Sequence, residues 1–423
     1  MMQRRLGGLK APHIAIAIRL VQWLPLVGAL FILHPKTFGQ IDPEKRRLIQ
    51  LGYNQPLEGQ GPIAGYGFFY YNKPQFIRTN WTMRLAVAPI YMDAELGVAQ
   101  LLGPDTDVGF GLAGGGFAET YPEIRGGDFR QNESFVGHGG EVSSSIYHRF
   151  NPDQMIPLWA VARLAIHASM YDTDSKTDSK FVLPDDRQSV NIRAGLRYGG
   201  REPTLTAPLA MELSAWYEGH YRTDSADYGF NNDRQVEAYT HLFWGRGLLK
   251  YTFGESEQYF DVALTLGASV KPDRFSAYRL GGMLPFASEF PLSIPGYYFQ
   301  EISAERFALL NAQYSFPLEP SHSWNLSMFG AAARVTYLPG LEQPGEWNTG
   351  IGGGITYASR SRTWFATLVY GHGFQAIRHG ERGANSVGLL FQYDFEAKKN
   401  DRAKPFNPGI NPYSSRGTER LFQ

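Results

Sequence analysis

The sequence predicts an all-β fold, a transmembrane antiparallel up-and-down β-barrel of about 14 strands. From about residue 61 to residue 395, apolar and polar residues alternate with a period of two, as in strands that face lipid on one side and a wet lumen on the other. No stretch after residue 40 is long and apolar enough for a membrane helix. Long polar connectors also alternate with short turns along the chain, as they do in bacterial barrels.

The composition narrows the classes of function. The chain has 40 basic and 40 acidic residues, so its zero net charge gives no reason to expect a nucleic-acid partner. It has no cysteine, which excludes disulfides and thiolate metal sites. The ten histidines include no close pair at ligand spacing, so we expect no metal site and no cofactor. Aromatic residues make up 14% of the chain, which suits the girdles of a membrane barrel.

The N-terminal region has the plan of a secretory signal. A basic region precedes the apolar segment 21–33, and small residues ending at Gly39 offer a cleavage position. We therefore expect residues 1–40 to be a cleaved signal peptide. An uncleaved anchor is the alternative, but the apolar run is shorter than the roughly 20 residues that a spanning helix needs. Residues 41–60 then form a short periplasmic lead-in, and the barrel spans 61–396.

Alternation and turn residues together give fourteen candidate strands. They lie at 62–72, 81–101, 107–119, 134–150, 158–171, 188–199, 209–222, 235–252, 257–271, 305–318, 323–337, 346–359, 363–375 and 385–395. The long polar connectors follow odd-numbered strands and the short turns follow even-numbered ones, which assigns the two ends of the barrel consistently. Splitting both 81–101 and 235–252 would give sixteen strands and keep this parity, so sixteen is the alternative count.

The alternation also assigns side chains to the two faces. Ile192 and Leu196 share one face of a predicted strand, whereas Arg193 and Arg197 lie on the other face and need water. The residues predicted to line the lumen are Arg163, His167, Arg193, Arg197, Glu212 and Glu218. Because both signs of charge are present, the simplest expectation is that these groups pair and are hydrated, without strong ion selectivity.

The end of the chain contains a candidate assembly signal. The last predicted strand ends in alternating aromatic residues, Phe391, Tyr393 and Phe395. Such an ending resembles the signal by which outer-membrane barrels are recognised for insertion. Residues 397–423 contain several Pro and Gly and show no periodicity, so we expect a flexible periplasmic tail.

The segment from Arg279 to Leu318 resembles the bacterial surface antigen superfamily. This superfamily includes the barrels of outer-membrane protein-assembly factors and two-partner secretion transporters. Its members have an LGG motif, then (V/L)RG(Y/F), then a strand that reads like EYRFPL. Here the corresponding letters are LGG, IPGY and QYSFPL, in the same order and at similar spacing.

The resemblance continues through the next strands and covers about residues 275–396. FGAAARV at 329–335 and the segment 350–374 look like the strands that follow in the family. The resemblance implies a loop that folds back into the lumen before the last five strands. The tip of this loop is formed by Ile294, Pro295, Gly296 and Tyr297.

Three positions depart from the family pattern. Pro295 replaces the arginine of the loop tip, and Gln313 and Ala331 replace the two acidic residues of the facing strands. In the family these positions form an ion network that fixes the loop. Losing all three together leaves no unpaired charge. The resemblance therefore implies a loop that still enters the lumen but is held by Tyr297, Tyr298 and backbone contacts.

Two further patterns suggest chemistry. Residues 109–114 match G-x-G-x-x-G in letters, but the run continues with strand character, whereas a dinucleotide site needs a helix there. His167 and Ser169 share a strand face, as a serine hydrolase requires, but the sequence identifies no third residue to orient the histidine. We therefore expect no catalytic residues.

These observations predict a non-enzymatic protein of the bacterial outer membrane, reached through a cleaved signal. Its expected role is a pore or the membrane anchor of an envelope complex, in contact with lipid, lipopolysaccharide and a periplasmic or surface protein subunit. Active protein insertion or translocation is the alternative, with a separate periplasmic subunit, since the sequence leaves no room for the family's polypeptide-transport-associated repeats. A barrel enzyme acting on lipid is the third hypothesis.

Overall fold

The alternating segments form sixteen barrel strands in the part of the chain that the structure describes. A computed structural model describes residues 45–154, 156–199, 209–253, 258–284 and 290–397. The predicted signal peptide and almost all of the predicted tail lie outside these residues. No helix within them has the length and apolar character needed to cross a bilayer.

The strands are numbered along the chain. They are β1 (Arg46–Pro56), β2 (Ala64–Pro74), β3 (Trp81–Ala88), β4 (Tyr91–Val98), β5 (Thr106–Gly115), β6 (Phe135–Arg149), β7 (Leu158–Thr173), β8 (Arg187–Gly199), β9 (Leu209–Arg222), β10 (Tyr239–Phe253), β11 (Gln258–Val270), β12 (Ile302–Pro317), β13 (Trp324–Tyr337), β14 (Trp347–Ala358), β15 (Trp364–Arg378) and β16 (Glu381–Asp394). Each pairs antiparallel with the next, and one extra strand, Tyr278–Leu280, pairs with β12.

The barrel closes between its first and last strands. β16 pairs antiparallel with β1 from Leu48 opposite Asp394 to Pro56 opposite Ser386. We call this pairing the seam. With it, no barrel strand of the described chain is left without a neighbour on either side, so the backbone groups of the sheet are satisfied within the sheet, as a bilayer requires.

The predicted count of fourteen strands is wrong, and the alternative of sixteen is right for a partly different reason. Segment 81–101 does divide into β3 and β4, because Pro89 in the connecting turn cannot donate to a ladder. Segment 235–252 stays one strand, β10. The missing strand is β1, which lies in the segment 41–60 that we expected to be a lead-in, so the barrel begins at Arg46. Adjacent apolar residues, Leu48 and Ile49, interrupt the alternation there and hide the strand.

These two changes compensate, so the predicted parity of the connectors is preserved. The long loops 116–134, 174–186, 223–238 and 271–301 all follow odd-numbered strands. They therefore lie at the end of the barrel opposite the N-terminus of β1 and the C-terminus of β16. This is the end that faces the cell exterior in bacterial barrels.

Side chains alternate between the outer surface and the lumen. On β9, Leu213 is 64% exposed, whereas the neighbouring Glu212 is only 4% exposed. The same contrast on β8 separates the exposed Ile192 and Leu196 from Arg193. The outer surface is therefore apolar over many strands. Exposing such a surface to water would cost a large free energy, whereas contact with lipid would not.

Aromatic side chains collect at both ends of the outer surface. At the short-turn end, Phe391 contacts Trp364 with ring centroids 6.0 Å apart, and Tyr393 contacts Phe395 at 4.8 Å. At the long-loop end, Tyr217 contacts Phe243 at 5.2 Å. Such girdles match the two interfaces of a bilayer. The role of the terminal aromatic residues as an insertion signal stays a prediction.

A charge in the middle of the lipid-facing surface tests the assignment of the faces. Leu264 lies outward at the centre of β11. Leu264→Arg should lower the free energy of unfolding in bilayers by about 2–4 kcal/mol, whereas the control Leu264→Met should cost less than about 1.5 kcal/mol. Denaturant titration in lipid vesicles measures both. Equal midpoints for the two variants would contradict a lipid-facing Leu264.

Candidate functional site in the barrel lumen

The segment between the extra strand and β12 enters the lumen. We call its described residues, 281–284 and 290–301, the plug. On one side of the lumen, a Cβ on Gly350 of β14 would come within 2.2 Å of the carbonyl oxygen of Pro295. On the other side, the ring of Phe290 lies 5.6 Å from that of Trp216 on β9. The plug therefore crosses the lumen from β9 to β14, as the family resemblance implies.

Small inward-facing residues make room for the plug. Gly350, Gly371 and Gly373 lie on the inner faces of β14 and β15, and the plug backbone packs directly onto them. Two polar contacts then fix the position of the plug. Tyr297 Oη donates to Asn348 Oδ1 at 3.1 Å, and the side-chain amide of Asn311 on β12 donates to the carbonyl of Ser293 at 3.0 Å.

A buried ion pair anchors the end of the plug. Arg378 of β15 donates from its two terminal nitrogens to the two carboxylate oxygens of Glu301, at 3.0 and 2.8 Å. The side chains are 3% and 0% exposed, respectively. Tyr298 adds to the anchor, because its ring lies 3.5 Å from the guanidinium and its N–H donates to Glu301. Breaking a buried bidentate pair by removing one partner costs about 3–5 kcal/mol.

The residues predicted at the loop tip and on the facing strands lie around this plug. Ile294 and Tyr297 are fully buried, and Ala331 packs in the same apolar cluster. Gln313 donates to Tyr259 Oη at 2.9 Å and lines a small cavity beside Pro295. The ion pair that holds the plug is therefore at Glu301 and Arg378, positions that the sequence analysis missed. They are 77 residues apart, and only the register of β15 brings them together.

The predicted lumen residues form ion pairs with each other. Arg193 donates to Glu218 with an Nε–Oε2 distance of 2.8 Å. Glu212 accepts two hydrogen bonds from Arg246, at 3.1 and 2.7 Å, and lies 3.8 Å from Arg197. Arg246 was not predicted, although its inward position follows from the alternation in β10.

His167 lies between two carboxylates. Its Nε2 is 3.0 Å from Glu119 and its Nδ1 is 4.0 Å from Glu141, which also pairs with Arg163. Both ring nitrogens of His167 therefore face carboxylates, and Glu119 is a partner that the sequence analysis did not identify. Within the described ranges, no group of three or more His, Asp or Glu side chains is arranged to hold a metal ion.

The long loops meet over the exterior end of the lumen. We call the described residues 116–134, 174–186, 223–238 and 271–277 the cap. Its apolar centre contains Tyr121, Phe181, Tyr228, Val236 and Phe275, which pack around Phe135 at the start of β6. Backbone hydrogen bonds join the loops in pairs, with Val182 and Gly229 exchanging bonds of 3.2 and 2.9 Å.

The cap also contains a buried carboxylate, Glu123. Burial by itself would raise the pKa of Glu123, but Arg274 and Arg234 and the hydrogen bonds from Arg125 and Tyr121 outweigh it and lower the pKa. The closest cation, Arg125, lies 3.0 Å away, and Arg274 lies 3.2 Å away. Folding of these loops therefore stabilises the ionised carboxylate, and the carboxylate in turn holds three loops together.

Arg279 connects the cap to the plug. Its guanidinium donates to the carbonyl of Pro122 in the cap and to that of Gln300 in the plug, both at 3.1 Å. The cap also reaches the opposite wall, since a Cβ on Gly127 would come within 1.9 Å of the carbonyl oxygen of Ile377 on β15. Plug and cap thus form one connected obstruction of the lumen.

The fold is similar to that of several solved structures. CdiB from Acinetobacter baumannii matches with a TM-score of 0.54 and 10% identity, over 83% of this chain and 60% of that chain. BamA from Haemophilus ducreyi lacking POTRA domains 1-3 matches with a TM-score of 0.51 and 10% identity, over 92% and 80%. CdiB from Escherichia coli matches with a TM-score of 0.52 and 9% identity, over 82% and 63%.

The chain therefore has the barrel fold of outer-membrane assembly and secretion transporters, and the fold implied by the sequence resemblance is confirmed. It spans 60% and 63% of the lengths of the two CdiB chains that it matches. Comparison of the sequence with known families and with curated proteins gives no match.

The seating of the plug can be tested at a glycine. Gly296 has φ +85°, and a Cβ there would lie 1.9 Å from the backbone nitrogen of Gly373. Gly345 has a similar φ of +94° but open space around it, so it is the matched control. Gly296→Ala should lower the free energy of unfolding by about 2–5 kcal/mol and Gly345→Ala by about 1–2 kcal/mol. Equal unfolding midpoints in bilayers would argue against this packing.

The cap should loosen in acid. Because the pKa of Glu123 is lower in the folded protein than its ordinary value of 4.5, its contribution to stability is complete above pH 4.5 and is lost as the pH falls below it. Hydrogen exchange of residues 121–134, corrected for intrinsic rates, should show this loss. Glu123→Gln should already have weak protection at pH 7 and change little in acid. The exposed control Glu342→Gln should keep the normal profile, and a pH-independent wild type would refute the mechanism.

Proposed function

We propose that this protein is an outer-membrane barrel of the assembly and secretion transporter kind that acts as a gated pore. The observation that carries the proposal is the plug, which crosses the lumen and is anchored by the buried pair of Glu301 and Arg378. A partner or a substrate can displace one ion pair at the end of a long loop. It cannot displace the closed wall of the barrel in the same way, because many backbone hydrogen bonds hold the wall together. The pore in this state is closed, and opening it requires release of that pair.

The lining of the lumen supports transport of hydrated solutes or polypeptide segments. Charges of both signs lie along it and form pairs across neighbouring strands, such as Arg193 with Glu218 and Arg246 with Glu212, so neither sign dominates the path. The outer surface supports a location in a bilayer, and the long loops at one end support the orientation of an outer-membrane protein.

Membrane-protein insertion is the second candidate, and a contact at the seam favours it. The carboxylate of Glu58, just after β1, accepts hydrogen bonds from the N–H and the side-chain amide of Asn385 on β16, both at 2.6 Å. The carbonyl of Glu58 also accepts from Tyr298 Oη of the plug at 3.3 Å. Movement of the plug would therefore disturb the place where the sheet closes, which faces lipid.

Planar-bilayer conductance tests the pore. Arg378→Met removes the anchor, so channel openings should become more frequent or longer than in the wild type. Arg334→Met is the matched control, because Arg334 pairs with Glu346 at the surface, with both side chains more than 60% exposed, and such pairs contribute little. Its conductance should equal that of the wild type. An Arg378→Met barrel with a protease-accessible plug and unchanged conductance would overturn the proposal.

Depletion of the protein separates the two candidates. An inventory of outer-membrane proteins after depletion should be unchanged if the protein is a pore, and should lose many barrel proteins if it inserts clients. A phospholipid-cleaving activity that disappears in His167→Ala would instead favour the enzyme hypothesis.

A further inference from the structure

We infer that the lumen contains a binding site for a small solute that carries a carboxylate or phosphate group, with Arg187 as its recognition residue. Arg187 is the first residue of β8 and points inward beneath the cap. It lines a cavity of about 360 Å³ enclosed by the wall, the cap and the end of the plug. Cavities of this size are typical of small-molecule sites.

The guanidinium of Arg187 is buried but incompletely satisfied. The residue is 6% exposed, and its Nε donates to the carbonyl of Asp185 at 3.1 Å. Both terminal nitrogens are buried without a hydrogen-bond partner. An unpaired charge in such a place is unfavourable. A ligand that pairs with this charge removes the unfavourable contribution and therefore binds more tightly.

The other charges that line the cavity are already paired. Glu119, Glu141 and Glu218 are engaged by His167, Arg163 and Arg193, respectively. His220 also lines the cavity and lies 2.8 Å from Glu218, and Arg222 donates to Asp273 at 2.7 Å. One positive charge, that of Arg187, is therefore left over among the groups that face this space.

The surroundings of Arg187 fit an oxyanion. A guanidinium presents its two terminal N–H groups as a planar fork that matches two oxygens of a carboxylate or a phosphate. Ser169 is the registered partner of Arg187 across β7 and β8, and Ser189 follows two residues along the same face. Both serines line the cavity with Arg187, and a serine hydroxyl is a group that can donate to an anion.

Titration calorimetry of the full-length protein in detergent tests the site with inorganic phosphate and with acetate, against chloride of equal ionic strength. The wild type should bind at least one of the two oxyanions. The anion that binds shows whether the site takes a phosphate or a carboxylate group. Arg187→Gln should weaken this binding by at least about tenfold, the loss expected for one charge-assisted fork. Arg130→Gln, at an exposed arginine of the cap, should bind like the wild type.

Arg187→Lys provides a second variant that keeps the charge but removes the fork, and it should weaken binding severalfold. Heat-dependent migration on gels shows that each variant is a folded barrel, so a loss of binding is not a loss of structure. Binding of neither anion by the wild type, or equal binding by the wild type and Arg187→Lys and Arg187→Gln, would overturn the inference. These binding measurements do not depend on conductance. They therefore test the anion site separately from the proposed pore function.

Discussion

The closure of one sheet is the constraint on which the rest of the structure depends. In a bilayer every backbone N–H and C=O must be satisfied within the protein, so a sheet that spans it has to return to its first strand. Here β1 and β16 complete that return through a continuous antiparallel register. Once the sheet is closed, the period-two alternation of each strand determines the environment of each side chain. One face of the sheet is lipid-facing all around the barrel, and the other face encloses a lumen.

The pairing of charges in the lumen follows from the burial of their side chains. A buried charged side chain on the inner wall is stabilised when it meets a partner, as Arg193 does with Glu218 on the neighbouring strand. The same requirement places the anchor of the plug, where Glu301 meets Arg378. The plug is thus held by the interaction that organises the wall, supplemented by glycine-lined space for its backbone.

Much of this was predictable from the sequence, and the failures have physical causes. Alternation specifies which face a side chain occupies, but not which strand lies beside it, so it predicted an inward Arg193 without identifying its partner. The pair of Glu301 and Arg378 and the network around Glu123 depend on loops and registers far apart in the chain. β1 was missed because two adjacent apolar residues break its alternation, and the turn at Pro89 was missed because only residues 89 and 90 separate the two strands and no polar connector marks them.

Disulfide cross-linking at the seam tests the closure most directly, because the chain has no cysteine of its own. Gln50 lies opposite Gln392, and their side chains share a hydrogen bond of 2.9 Å. Opposed residues of a ladder lie within reach of a disulfide. A barrel carrying Gln50→Cys and Gln392→Cys should cross-link readily in membranes, whereas Gln50→Cys with Leu390→Cys, two residues out of register, should not. Absence of the first cross-link, or preference for the second, would contradict a sheet closed between β1 and β16.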